Sequence, residues 1–368
     1  MESVIKGTRR NYGIDALRLF SMLLVVTLHV LGHGGVLENL VGKKYAVCWL
    51  LECFSFCAVN CYGIISGYVG FSDKKKGFYY RKYILMWLQV WFYSIAITVV
   101  AYIIKPELIQ QISLKRVIFP VATNFYWYFT AYTGVFFVMP WINMFVRERS
   151  QSEMNRFMLL LLGVFSFYAS IAAMVGDPFK ISAGYSFIWL MLLYLVGAWI
   201  KKSDIIKKIK VQYAFIAIGM NVGITCFTTL VFPQIKPMLI SYVSPLMVGN
   251  AIFLLCIFSR WKIEGIWKKI ILFFTPAVFG VYLIQVHGII WYWMKGRFAW
   301  IAELSFGKIL VVLAICISGI FVGGLLIEKI RIELFKWLRV QTIIDKITEF
   351  ILKTIRMIYN KRGEKYTK

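Results

Sequence analysis

Long apolar runs separated by short basic segments organise this chain from end to end. They predict helices over roughly 14–36, 45–71, 83–104, 124–145, 157–176, 185–200, 212–232, 239–259, 270–293 and 305–327, most near the ~20 residues that cross a hydrocarbon layer. The expected fold class is all-α, a polytopic bundle of about ten transmembrane helices. Beyond residue 328 the apolar positions thin to a stripe at Val340, Ile343, Ile344, Ile347, Phe350, Ile351, Ile355 and Ile358, with Lys and Arg between them. That pattern predicts an amphipathic helix lying along an anionic inner leaflet. The chain therefore divides into a membrane domain over 1–327 and a basic tail over 328–368. No internal repeat or mid-membrane break is evident, with Pro245 and Pro276 as candidate kinks.

The first span is not uniformly apolar. Arg18 and His29 lie 11 positions apart, and about 100° per residue returns them to within roughly 20° of one face. Asp15 precedes Arg18 by one turn and His33 follows His29 by another, so one stripe carries the ionisable groups of a helix otherwise rich in Leu, Val, Met and Phe. Ionisable side chains in hydrocarbon cost several kcal/mol unless they face protein or water, which makes this stripe a candidate functional site. A basic leader precedes the span, yet it has no small-residue cleavage site and is expected to be retained.

Composition agrees with the span pattern. Hydrophobic residues make up 60% of the chain and mean hydropathy is +0.72, which excludes an ordinary soluble globule. The net charge of +25 is distributed between spans instead of along one amphipathic face, pointing to topology and away from nucleic acid. With a cytoplasmic N-terminus, the inner segments hold Lys6, Arg9 and Arg10; Lys74, Lys75, Lys76, Arg81 and Lys82; Arg147, Arg149 and Arg156; and the segments 201–210 and 260–269 with the tail. About 31 basic residues then lie inside against about 10 outside, so both termini are expected in the cytoplasm. Cys53, Cys57 and Cys61 recur at helical spacing. Each step rises about 6 Å, too far for three thiolates to converge on one zinc, and no metal is expected.

Helix rise converts this topology into depth. Arg18 falls near the cytoplasmic edge and His29 roughly 16 Å further out. Glu52 lies in the outer half of the second span, Tyr126, Trp127 and Tyr128 reach a similar level, Tyr282 sits near mid-depth, and His287 returns to the outer half. Asp15, Arg18, Ser66, Gly67, Tyr68, Arg81 and Lys82 gather at the inner face. This two-ended arrangement suits an extended ligand with a phosphorylated head inside and its reactive end at the histidine layer; coenzyme A has that shape. His29 is the candidate general base. Glu52 is the candidate to orient it, the alternative being a structural pairing of Glu52 with Arg18 or another cation. His33, in the Gly32-His33-Gly34-Gly35 turn, reads as a solvated loop residue. His287 stands between substrate contact and helix packing, while Trp291, Tyr292, Trp293 and Trp300 read as an interfacial aromatic belt.

Several of these residues coincide with known motifs. The Arg18-to-His29 spacing after Asp15-Ala16-Leu17 resembles the signature of membrane-bound acyltransferase family 3, whose members typically O-acylate surface carbohydrates from acyl-CoA. Gly63-Ile64-Ile65-Ser66-Gly67-Tyr68, Tyr126-Trp127-Tyr128 through Pro140, Gly184-Tyr185-Ser186 to Gly197, and Phe279 through His287 are similar to later family segments in order. The resemblance implies His29 as the catalytic residue and Arg18 as its partner in donor binding. The family's two arginines at the start of the third helix are replaced by Arg81-Lys82-Tyr83, so Arg81 and Lys82 are the expected phosphate cations, with Trp127, Tyr282 and His287 as substrate contacts. The implied activity is an O-acetyltransferase of a bacterial cytoplasmic membrane, using acetyl-CoA as donor and a polysaccharide or lipid-linked glycan as acceptor, with membrane lipids as its other partners. Direct transfer and an acyl-histidine route both fit. No soluble hydrolase-like domain is expected after the last span. The competing class is a multi-spanning transporter or flippase.

Overall fold

The computed structural model describes residues 10–72 and 80–363. The expected inner cations Lys6, Arg9, Lys74, Lys75 and Lys76 lie outside the described residues, as do the side chains of Ile355 and Ile358. The structure is 83% helical with no strand among the described residues. Among the described residues, eight helical spans are long and apolar enough to cross a membrane: Tyr12–His33, Gly42–Gly70, Tyr80–Ile104, Trp127–Glu148, Gln151–Ala172, Val211–Val231, Gly265–Gln285 and Phe306–Trp337. The other two expected spans fall on the shorter helices Phe187–Ser203 and Pro245–Arg260. The chain is a multi-pass helical bundle.

The helices are α1 (Tyr12–Leu28), α2 (Gly42–Ser55), α3 (Ala58–Gly70), α4 (Tyr80–Ile104), α5 (Trp127–Glu148), α6 (Gln151–Leu162), α7 (Phe187–Ser203), α8 (Val211–Val231), α9 (Pro245–Arg260), α10 (Gly265–Phe274), α11 (Val278–Gln285), α12 (Gly288–Met294), α13 (Phe306–Trp337) and α14 (Val340–Gly363). Side-chain caps fix several starts. Asn11 accepts from the Ile14 amide at 3.2 Å and donates to the Ser259 carbonyl at 2.6 Å, joining the start of α1 to the end of α9. Ser186 accepts from the Trp189 amide to open α7, and Ser150 with Glu153 forms a reciprocal capping box before α6. At the other end of α5, Lys202 donates to the Val146 and Arg147 carbonyls, groups that the helix leaves without partners.

Glycine sets a close helix contact. A Cβ on Gly67 would lie 1.8 Å from the Tyr194 carbonyl oxygen, and one on Gly197 would lie 2.0 Å from that of Ile64. Only glycine lets α3 and α7 touch backbone to backbone, as small residues do between membrane helices. Around this seam Ile64, Ile65, Trp189 and Leu193 are buried.

Three spans are interrupted at membrane depth, correcting the expectation of unbroken helices. α1 passes into a π-helical turn at His29–His33, α2 breaks from α3 at Phe56 and Cys57, and a 3-10 turn at Thr275–Ala277 separates α10 from α11. Pro276 explains the last, because it lacks an N–H and crowds the preceding turn. Pro245 instead opens α9, where a missing donor costs nothing. α13 continues through residue 327 to Trp337, and the chain turns at Arg339, with φ 51°, into α14.

The exposed positions Lys295, after α12, and Lys208, before α8, test the orientation. In intact cells Lys295→Cys should react with a membrane-impermeant maleimide, and Lys208→Cys only after permeabilisation. Six of the seven native cysteines are buried, so background labelling should be low. The opposite pattern would invert the topology.

Candidate active site

One cavity of about 1000 Å³ runs through the bundle along α1. Arg18, Ser66, Tyr132 and Pro276 line the end near the start of α1. Tyr62, Tyr128 and Tyr282 line its middle. His29, Glu52, Trp127 and Trp291 line the far half, with Glu38 and Arg116 at that mouth.

Arg18 is held at the inner end by Asp15. Asp15 is 1% exposed and bridges two guanidinium groups, Arg18 at 2.5 Å and Arg10 at 2.6 Å. The Arg18 carbonyl accepts from the Tyr62 hydroxyl at 2.6 Å. An arginine carries five N–H donors. The Asp15 contact engages one nitrogen and leaves the rest of the fork directed at the cavity.

His29 sits where α1 widens into the π turn, a feature that often marks functional positions. Its Nδ1 lies 3.0 Å from Oε1 of Gln285. The Gln285 amide nitrogen donates to the Val281 carbonyl at 3.2 Å. A carbonyl can only accept, so the amide orientation is fixed and Oε1 must receive the Nδ1 proton. Nε2 is therefore the unprotonated nitrogen, available to the cavity that His29 lines. The Trp291 ring meets His29 edge-on at 4.9 Å.

Glu52 lines the same cavity but does not orient His29, and it does not pair with Arg18. α2 crosses α1 one turn further out: Oε1 of Glu52 lies 3.4 Å from where a Cβ on Gly32 would stand. The orienting group is Gln285, a neutral amide contributed by α11.

Trp127 and Tyr282 line the cavity as expected, and the Tyr282 hydroxyl also accepts from the Tyr128 amide at 3.2 Å. His287 does not line it. Its Nε2 lies 3.2 Å from the Ser94 carbonyl and 3.3 Å from the Thr98 hydroxyl, while Nδ1 accepts from the Ile289 amide at 3.3 Å. Fully buried and committed to α4 and to the start of α12, it ties two helices together. Arg81 and Lys82 are also absent from the cavity lining. Arg81 pairs at 2.5 Å with Asp345 on α14, and this guanidinium holds the Asp345 carboxyl below the usual carboxylate range.

Two aromatic-layer expectations change as well. His33 belongs to the π turn and lines the cavity, stacked on Trp291 at 3.7 Å with Nε2 2.7 Å from the Trp291 carbonyl. Trp291 thus faces inward, while Tyr292, Trp293 and Trp300 are about half exposed. Gln285 and Tyr185 lie in family-like segments but were not singled out as site residues, and Tyr242 was not named; Tyr185 and Tyr242 come from loops.

The sequence model of acyltransferase family 3, described as an acyltransferase domain, matches residues 11–328, and the chain belongs to this family. It is a membrane acyltransferase. No curated protein and no solved structure matches the chain.

Gln285→Leu should lower kcat for acyl transfer by roughly 10- to 100-fold with little change in KM, since the ring loses the acceptor that selects its protonation site. Gln285→Glu, which keeps an acceptor for the Nδ1 proton, should retain more activity than Gln285→Leu. Unchanged kcat in Gln285→Leu would remove this role.

Proposed function

We propose that the chain transfers an acetyl group from acetyl-CoA, supplied from the cytoplasm, to a sugar hydroxyl of a surface polysaccharide or its lipid-linked precursor in a bacterial cytoplasmic membrane. The observation carrying this reading is that one cavity holds both Arg18 and His29, three turns of helix and roughly 16 Å apart. That separation matches a pantetheine arm with its phosphates at Arg18 and its thioester at the imidazole.

Arg18 is pre-positioned for phosphate by Asp15, and its fork suits bidentate contact. With Arg81 engaged by Asp345, Arg18 is the principal donor cation in this reading. At the far end His29 Nε2 removes the proton from the acceptor hydroxyl as its oxygen attacks the thioester carbonyl. The tetrahedral intermediate collapses with cleavage of the carbon–sulfur bond, and the departing thiolate takes the proton from the imidazolium. Ester and free thiol are the products, and His29 returns to its starting tautomer. Membrane lipids complete the setting, with α14 along the inner leaflet.

Membranes supplied with radiolabelled acetyl-CoA provide the test. His29→Ala should abolish transfer of label to glycan while membrane abundance is unchanged. Arg18→Ala should raise the KM for acetyl-CoA by about 10- to 100-fold, the loss expected for hydrogen bonds to a charged group. Normal glycan labelling in His29→Ala would refute the assignment.

A further inference from the structure

Three acidic side chains are buried within the described membrane spans, and two of them are matched to arginine. Asp15 bridges Arg10 and Arg18. Glu328, fully buried on α13, is held by Arg331 at 2.6 Å and accepts from the Tyr93 hydroxyl at 2.7 Å. Glu52 is the third. It is 6% exposed, its Oε2 is buried with no hydrogen-bond partner, and no described lysine or arginine pairs with it. A carboxyl group at membrane depth without a partner is costly, and membrane proteins keep such groups where a ligand completes them.

The surroundings of Glu52 indicate the ligand's charge. Trp127, Tyr185, Tyr242 and Phe56 line the same part of the cavity. Trp127 lies 4.8 Å from Tyr185 and is stacked on Tyr242 at 6.4 Å, Tyr185 lies 4.8 Å from Tyr242, and Phe56 closes on Tyr242 at 5.6 Å. Ring faces are electron-rich and attract cations within about 6 Å of their centroids. A carboxyl group lacking its counter-ion, beside such a box, is complementary to an organic cation.

We propose that the outer half of the cavity is a subsite for a protonated amine, with Glu52 as counter-ion and Trp127, Tyr185 and Tyr242 as walls. That this amine is carried by the acyl acceptor, as on an amino sugar, rests on the acyl-transfer reading; the cation subsite itself does not. Glu52 then discriminates between acceptors, and the amine anchors the sugar while a neighbouring hydroxyl approaches His29.

Equilibrium dialysis of the purified full-length protein with radiolabelled D-glucosamine or D-glucose, at mildly acidic pH, compares a protonated amine with the hydroxyl it replaces. Glucosamine should be retained about tenfold more tightly than glucose. Tetramethylammonium chloride should displace it, whereas potassium chloride at equal concentration should not. Glu52→Gln should bring the two sugars to parity, and Glu52→Asp, which keeps the charge, should preserve the preference. No amine preference in the wild-type protein, equal displacement by the two salts, or a preference that survives Glu52→Gln would overturn the subsite. Label transfer from acetyl-CoA is measured on the same preparation. Its absence alongside intact amine binding counts against the acyl-transfer reading alone, and transfer with no amine preference counts against the subsite alone.

Discussion

Hydrocarbon offers no hydrogen bonds, and this constraint decides where almost every polar atom of the chain goes. Ser21, Thr27 and Ser55 turn their hydroxyls back onto carbonyls four residues earlier in their own helices, at 2.8–2.9 Å. Asp15 and Glu328 are buried only because guanidinium groups meet them. Lys202 and Arg260 spend their charges on backbone carbonyls at helix ends. Against that background the groups left open to the cavity stand apart: the outer edge of Arg18, Nε2 of His29 and the Glu52 carboxyl. These three groups share one cavity, where a bound molecule can reach them.

The walls between Arg18 and His29 suit a labile ester. Tyr62 meets Tyr128 edge to face at 6.2 Å, and Tyr128 meets Tyr282 at 6.0 Å. Offset and edge-on rings pack tightly while leaving a slot narrow enough for an alkyl-amide arm.

Much of the bundle could be read from the chain because hydropathy and helical period are local properties. The alignment of Arg18 with His29 needs only 1.5 Å and 100° per residue, and both residues do line one cavity. What resisted was the third coordinate. Depth along the membrane normal follows from rise, whereas the direction in which a helix faces its neighbours depends on packing between distant segments. Glu52 and Gln285 both reach the histidine layer, yet α11, 256 residues downstream, supplies the bond to His29. His287 occupies a similar depth and faces α4 instead. Arg81 was expected at the donor site, but its partner lies on the helix after the last span. The break at Phe56 and Cys57 has neither proline nor glycine to announce it.

A hollow of this size has an electrical consequence. In an energised bilayer the voltage falls mainly across the least polarisable material. A vault reaching from Arg18 toward Glu38 and Arg116 thins that layer. A charge moved through the whole drop exchanges about 2.3 kcal/mol with a potential of 100 mV. A charged group that moved along the vault would therefore exchange part of that energy with the membrane potential.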